Sequence, residues 1–77
     1  MPLPLTETFR DRLAGAPRPL AGGWVCSGSA LIAEIMAGAG FDWLLIDMEH
    51  GPNTLDTVLA QLQAVSGSAS LPVVRVP

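Results

Sequence analysis

The chain has 77 residues, room for one small domain, and a chain of that size buries only about 60% of the surface its unfolded form exposes. Hydrophobic residues make up 49% and charged residues 14%, with a mean hydropathy of +0.43, which argues against disorder and fits a piece of something larger better than a free domain coated in Lys and Glu. The net charge of −3, with four Arg and no Lys, argues against nucleic acid as a partner and leaves no amine to form a Schiff base with a carbonyl substrate.

In chain order, Leu5, Phe9 and Leu13 recur at helical spacing, with Thr6 as a cap and Gly15 near the end, which predicts a short opening helix. Met1 is followed by Pro and Leu without the charged n-region and long apolar run of a signal peptide. Pro17 and Pro19 form a rigid connector, and Leu20–Val25 predicts a strand. Cys26 is the only cysteine, so no intrachain disulfide forms and an intracellular setting follows; it is expected to be buried. Ser29 caps a second helix with Leu31, Ile32, Ile35 and Met36 on its apolar face, stopped at Gly38 and Gly40.

Phe41–Ile46 is apolar apart from Asp42, as in a parallel strand covered on both faces. Asn53 or Thr54 caps a third helix whose stripe is Leu55, Val58, Leu59, Leu62 and Val65. Ser66–Ser70 predicts a flexible loop, and Pro72–Val76 a last buried strand. The most apolar block, Ala30 to Met48, is broken by Glu34, glycines and Asp42 and falls short of the roughly 20 unbroken apolar residues a membrane span requires. A soluble, cytoplasmic protein with no membrane partner is expected.

The order α-β-α-β-α-β implies a parallel sheet with right-handed crossovers. It suits the opening portion of a (β/α)₈ barrel or the start of an open doubly wound sheet; composition and periodicity do not separate the two. In both, ligands bind at the carboxyl ends of the strands. There the sequence places Asp47, Glu49 and His50 after one strand and Arg75 on the next. Imidazole suits proton transfer near neutral pH, and guanidinium offers a forked donor surface for a carboxylate or a developing oxyanion. An Arg among Val73, Val74 and Val76 is costly unless paired or functional. Solvated loop residues and helix capping are the plainer readings of Asp47, Glu49 and His50. By residue type these three also suit a metal, although ligands so close in sequence rarely converge on one ion. Gly38-Ala39-Gly40 lacks the third glycine of a dinucleotide fingerprint and follows a helix, so it reads as a helix stop. Ser27-Gly28-Ser29 reads as an ordinary cap.

The stretch AEIMAGAGFDWLLIDMEHGPNT, followed by QLQAV and PVVRVP, resembles the start of the HpcH/HpaI group of metal-dependent, pyruvate-using aldolases, the 4-hydroxy-2-oxoheptanedioate aldolase family. The resemblance runs from about Gly23 to Pro77 and rests on D-x-E-H-x-P-N, the downstream Arg strand and the AGAGFDW lead-in. It implies a phosphoenolpyruvate/pyruvate-type (β/α)₈ barrel, cytoplasmic, working in aromatic-compound catabolism and carrying out reversible aldol addition of pyruvate to an aldehyde. It further implies His50 as catalytic base, Arg75 as the group binding the pyruvate carbonyl and stabilising its enolate, and Trp24 as a pocket-lining aromatic after the first strand. Asp47 and Glu49 support the hydrogen bonding around the base and metal-bound water. Met48 stands where some relatives carry Gly.

The resemblance also implies a divalent ion, Mg²⁺, Mn²⁺ or Co²⁺, whose Glu and Asp ligands lie beyond Pro77, as does the acidic partner of the histidine. The expectation is an N-terminal portion, residues 1–77, of one aldolase barrel domain that is hexameric when complete, inactive alone and poorly folded because of an open sheet edge. The competing expectation is a small α/β interaction module that pairs through that edge.

Overall fold

The computed structural model describes residues 8–77; the reading of Leu5 and Thr6 as the start of the first helix lies outside them. The elements run α1 (Phe9–Gly15), β1 (Gly22–Val25), α2 (Ala30–Ala37), β2 (Trp43–Asp47), α3 (Leu55–Val65) and β3 (Leu71–Arg75). Helix α1 begins at a capping box: Thr8 Oγ1 accepts from the Asp11 amide and the Asp11 carboxylate accepts from the Thr8 amide, both at 3.1 Å. Ser29 caps α2 and Thr54 caps α3, as their side-chain oxygens allow. Helix α2 stops at Gly38, and Gly40 follows with φ +97°, a conformation that costs glycine little.

The three strands form one parallel sheet in the order β1-β2-β3. Strand residues alternate between its two faces. Gly23, Val25, Leu44, Ile46 and Val74 face α2 and α3, where Val25, Ala33, Leu44, Ile46 and Val65 are fully buried in the core. Trp24, Trp43, Leu45, Asp47, Val73 and Arg75 share the other face by register. At its amino end Phe9 of α1 meets Trp43 edge-on, with ring centroids 5.7 Å apart. Trp43 in turn lies across Gly22, where any Cβ would overlap its ring.

Several expectations are corrected. Among the described residues, α2 and α3 pack side by side on one face of β2, and the other face is met only at its amino end, where Phe9 of α1 rests on Trp43. α2 does not bury Leu31, Ile32 and Ile35, which are exposed; it turns Ala33 and Ala37 inward, since small side chains let the helix approach the strands closely. In α3, Val58 and Val65 are buried together with Gln61, whereas Leu55 and Leu59 face outward. Ser66–Ser70 is a tied turn: Ser68 Oγ donates to the Val65 carbonyl at 2.7 Å, and the buried Ser70 donates to that of Phe41 at 2.5 Å. Cys26, one residue beyond β1, is exposed. Among the described residues no helix is long and apolar enough to cross a membrane.

Candidate active site

The carboxyl ends of the three strands bring Trp24, Asp47, Glu49, His50 and Arg75 together. Asp47 ends β2 and Arg75 ends β3, directly opposite in register, so two side chains 28 residues apart meet across one strand spacing. Asp47 is 1% exposed, and such a carboxylate requires partners. Its Oδ1 accepts from Arg75 Nε at 3.0 Å, from the Glu49 amide at 2.9 Å and from the His50 amide at 3.2 Å. Its Oδ2 accepts from Arg75 Nη2 at 2.5 Å. The forked bonds from Arg75, helped by the two amides, hold this carboxyl well below the usual carboxylate range.

The guanidinium thus has one edge tied to Asp47. Its carbon stands 5.0 Å from the centroid of the Trp24 ring, within cation–π range. Trp24 lies within β1 and not after it, and 53% of its surface is exposed. Arg75 Nη1 is 4.0 Å from Glu49 Oε1, and that same oxygen is 2.7 Å from His50 Nε2. Glu49 therefore stands between imidazole and guanidinium. With Nε2 donating to Glu49, Nδ1 carries the ring's lone pair. The His50 ring is largely exposed and open to a substrate.

The loop from Met48 to Asn53 is held as firmly as the strand ends. The Met48 amide donates to the Arg75 carbonyl at 2.9 Å. Asn53 Nδ2 donates to the Asp47 carbonyl at 2.8 Å, and its Oδ1 accepts from Thr57 Oγ1 at 3.1 Å and from Gln61 Nε2 at 2.6 Å. Asn53 closes the D-x-E-H-x-P-N motif in the sequence but with no role beyond a helix cap, and Gln61 does not stand out from the helix that carries it. The signal present was a Gln one position from Leu62 in an otherwise apolar stripe.

Asp47, Glu49 and His50 do not converge as metal ligands: both Asp47 oxygens are occupied, and among the described residues no group of three His, Cys, Asp or Glu could hold an ion. A hollow of about 280 Å³ lies away from this rim, beside the Arg18–Asp42 pair, whose bonds are 2.8 and 3.0 Å.

An all-parallel α/β sheet with a charged, histidine-bearing rim at its carboxyl ends defines a class, the enzymes that bind small ligands there. Residues 20–77 match the family described as HpcH/HpaI aldolase/citrate lyase, and the chain belongs to that family. It is 54% identical to the hydroxypyruvate/pyruvate aldolase of Deinococcus radiodurans, over 96% of this chain and 26% of that protein. It is 52% identical to the 4-hydroxy-2-oxo-heptane-1,7-dioate aldolase of Salmonella dublin, over 92% of this chain and 27% of that one. Among solved structures, an HpcH/HpaI aldolase/citrate lyase family protein from Burkholderia cenocepacia superimposes with a TM-score of 0.79 at 50% identity, covering 86% of this chain and 26% of that one. The chain spans about a quarter of the length of these relatives. The fold class read from the sequence, an opening α-β-α-β-α-β segment of a (β/α)₈ barrel, stands.

Proposed function

We propose that this segment supplies one side of the active site of a carbon–carbon lyase that reversibly cleaves a 4-hydroxy-2-oxo acid into pyruvate and an aldehyde. The observation that carries the reading is the rim itself: an Asp47-tethered guanidinium beside an exposed imidazole, on adjacent parallel strands. Two relatives of more than half identity are named as aldolases.

His50 takes the proton of the C4 hydroxyl, the C3–C4 bond breaks, and its electron pair passes into the C2 carbonyl. The enolate oxygen so formed is stabilised by the guanidinium of Arg75 through the edge not bonded to Asp47. Protonation at C3 then gives pyruvate. Trp24 walls the site beside Arg75, and Glu49 orients the His50 ring. A divalent ion, when bound, supplies Lewis-acid polarisation of the carbonyl. The residues described do not fit an ion on their own, so its ligands come from outside them and none of these steps runs through it. The complete protein is read as a homo-oligomeric barrel enzyme of the cytoplasm.

The test uses the full-length protein carrying this segment. It should exchange the C3 protons of pyruvate with solvent and cleave a 4-hydroxy-2-oxo acid, both activities falling with chelator. His50→Ala should lower both by roughly 10²- to 10⁴-fold, the range for loss of a general base. Unchanged rates in that variant remove His50 from the chemistry.

A further inference from the structure

We infer that Asn53 is a positioning residue for His50, a role that rests on the reading of His50 as the proton-transfer group. The loop that carries His50 has one anchor in the Asp47 side chain, which accepts from the Glu49 and His50 amides. Its second anchor is Asn53, which closes the loop by donating from Nδ2 to the Asp47 carbonyl at 2.8 Å. Every atom in the Asn53 amide group that can pair does so toward a fixed element: Oδ1 takes Thr57 Oγ1 and Gln61 Nε2. Gln61 is fully buried, and its second donated bond goes to the Thr57 carbonyl at 2.9 Å. A buried amide held at both hydrogens has little rotamer freedom, so Asn53 is braced from the body of α3.

Two glycines give the loop its path. A Cβ at Gly51 would lie 2.5 Å from the Asp47 carbonyl oxygen and 3.1 Å from Asn53 Nδ2, in the space this bond occupies. Gly28, with φ +74°, leaves room for the Pro52 carbonyl, which a Cβ there would approach to 2.9 Å. A strand end, a helix and a neighbouring turn thus fix the backbone on both sides of His50. A proton-transfer group needs such fixing, because a displacement of about 1 Å can cost on the order of 10²-fold in rate.

The discriminating variant is Asn53→Asp in the full-length protein. It keeps the acceptor for Thr57 and Gln61 and replaces the donor to the Asp47 carbonyl with a carboxylate oxygen, which cannot donate and is repelled there. Expected are a fall in kcat of roughly 10- to 100-fold with a much smaller change in pyruvate KM, and faster hydrogen exchange at the Glu49 and His50 amides while those of α3 keep their rates. Thr54→Ala, which removes a helix cap and nothing in the loop, should lower Tm and leave kcat unchanged. Unchanged exchange at Glu49 and His50, or unchanged turnover by an active enzyme, overturns the role of Asn53. A wild-type protein without aldol activity instead removes the reading of function, and the exchange measurement still decides whether Asn53 holds the loop.

Discussion

Asp47 is the residue on which the rim depends. It is buried, ionised and shared between a guanidinium and two amides, so removing its charge would loosen Arg75 and the His50 loop together. Asp42 repeats the device at the other end of β2: Arg18 and the Ala21 amide hold its carboxyl down to about 2. Both folded values lie below the ordinary 3.8. As pH falls, the unfolded chain therefore takes up these protons first. The stabilisation from both groups is whole above the ordinary carboxylate range and is lost as pH drops from there through the folded values. Carboxyl NMR titration should place the Asp42 midpoint near 2 and that of Asp47 clearly below 3.8. A midpoint at or above 3.8 for Asp47 would mean that its bonds to Arg75 do not persist in solution.

Among the elements, those with a local chemical signature were legible and those set by packing were not. Ser29 and Thr54 stand immediately before their helices with oxygens in reach of the third amide; the sequence points to Ser29 directly and leaves Thr54 as one of two candidates with Asn53. The strand end carrying Asp47 follows from an apolar run that stops, whereas β3 ends at Arg75, one residue short of the Val76 that the apolar pattern includes. Helix α2 misled because all its residues except Glu34 are apolar, so no periodicity distinguishes the Ala33/Ala37 face from the Leu31/Ile35 face; distance to the sheet decides, and sequence does not encode that locally. Gln61 misled for the opposite reason. A polar side chain on the buried stripe is tolerated because Asn53, eight residues earlier, accepts from it. A glycine ordinarily weakens a strand interior, yet Gly22 is the seat of Trp43. Gly22→Ala should destabilise the fold by about 1–3 kcal/mol through overpacking. In a Trp43→Leu background the same change should cost less, as measured by a denaturant double-mutant cycle.

At the scale of the molecule, the described residues form a sheet with unlike ends. The amino ends are fastened by α1 and the proline connector. Arg12 Nη1 donates to the carbonyls of Asp42 at 2.7 Å and Ala69 at 2.5 Å, Arg18 grips Asp42, and Phe9 rests on Trp43. The carboxyl ends carry the exposed chemistry. This division predicts that Arg12→Ala speeds amide exchange in α1 and exposes residues 16–21 to protease while leaving the Asp47 titration unmoved. Coupled changes at both ends would show that the sheet does not insulate them. The family was readable from D-x-E-H-x-P-N, the downstream Arg strand and the AGAGFDW lead-in together. The links among Glu49, Arg75 and His50 were not, since they depend on which strands neighbour each other and in what register.

The close approach of Gly28 to the Pro52 carbonyl has a practical consequence for anyone recombining such enzymes. The turn after β1 and the turn after β2 interlock, backbone against the space a Cβ would fill, so a change in one constrains the other. A chimaera that imports the histidine turn from a homologue while keeping its own first turn joins two halves cut for different counterparts. Transplanting both turns in a single cassette preserves the joint, and crossover points for shuffling belong before β1 and inside α3, never in α2, which lies between the two turns.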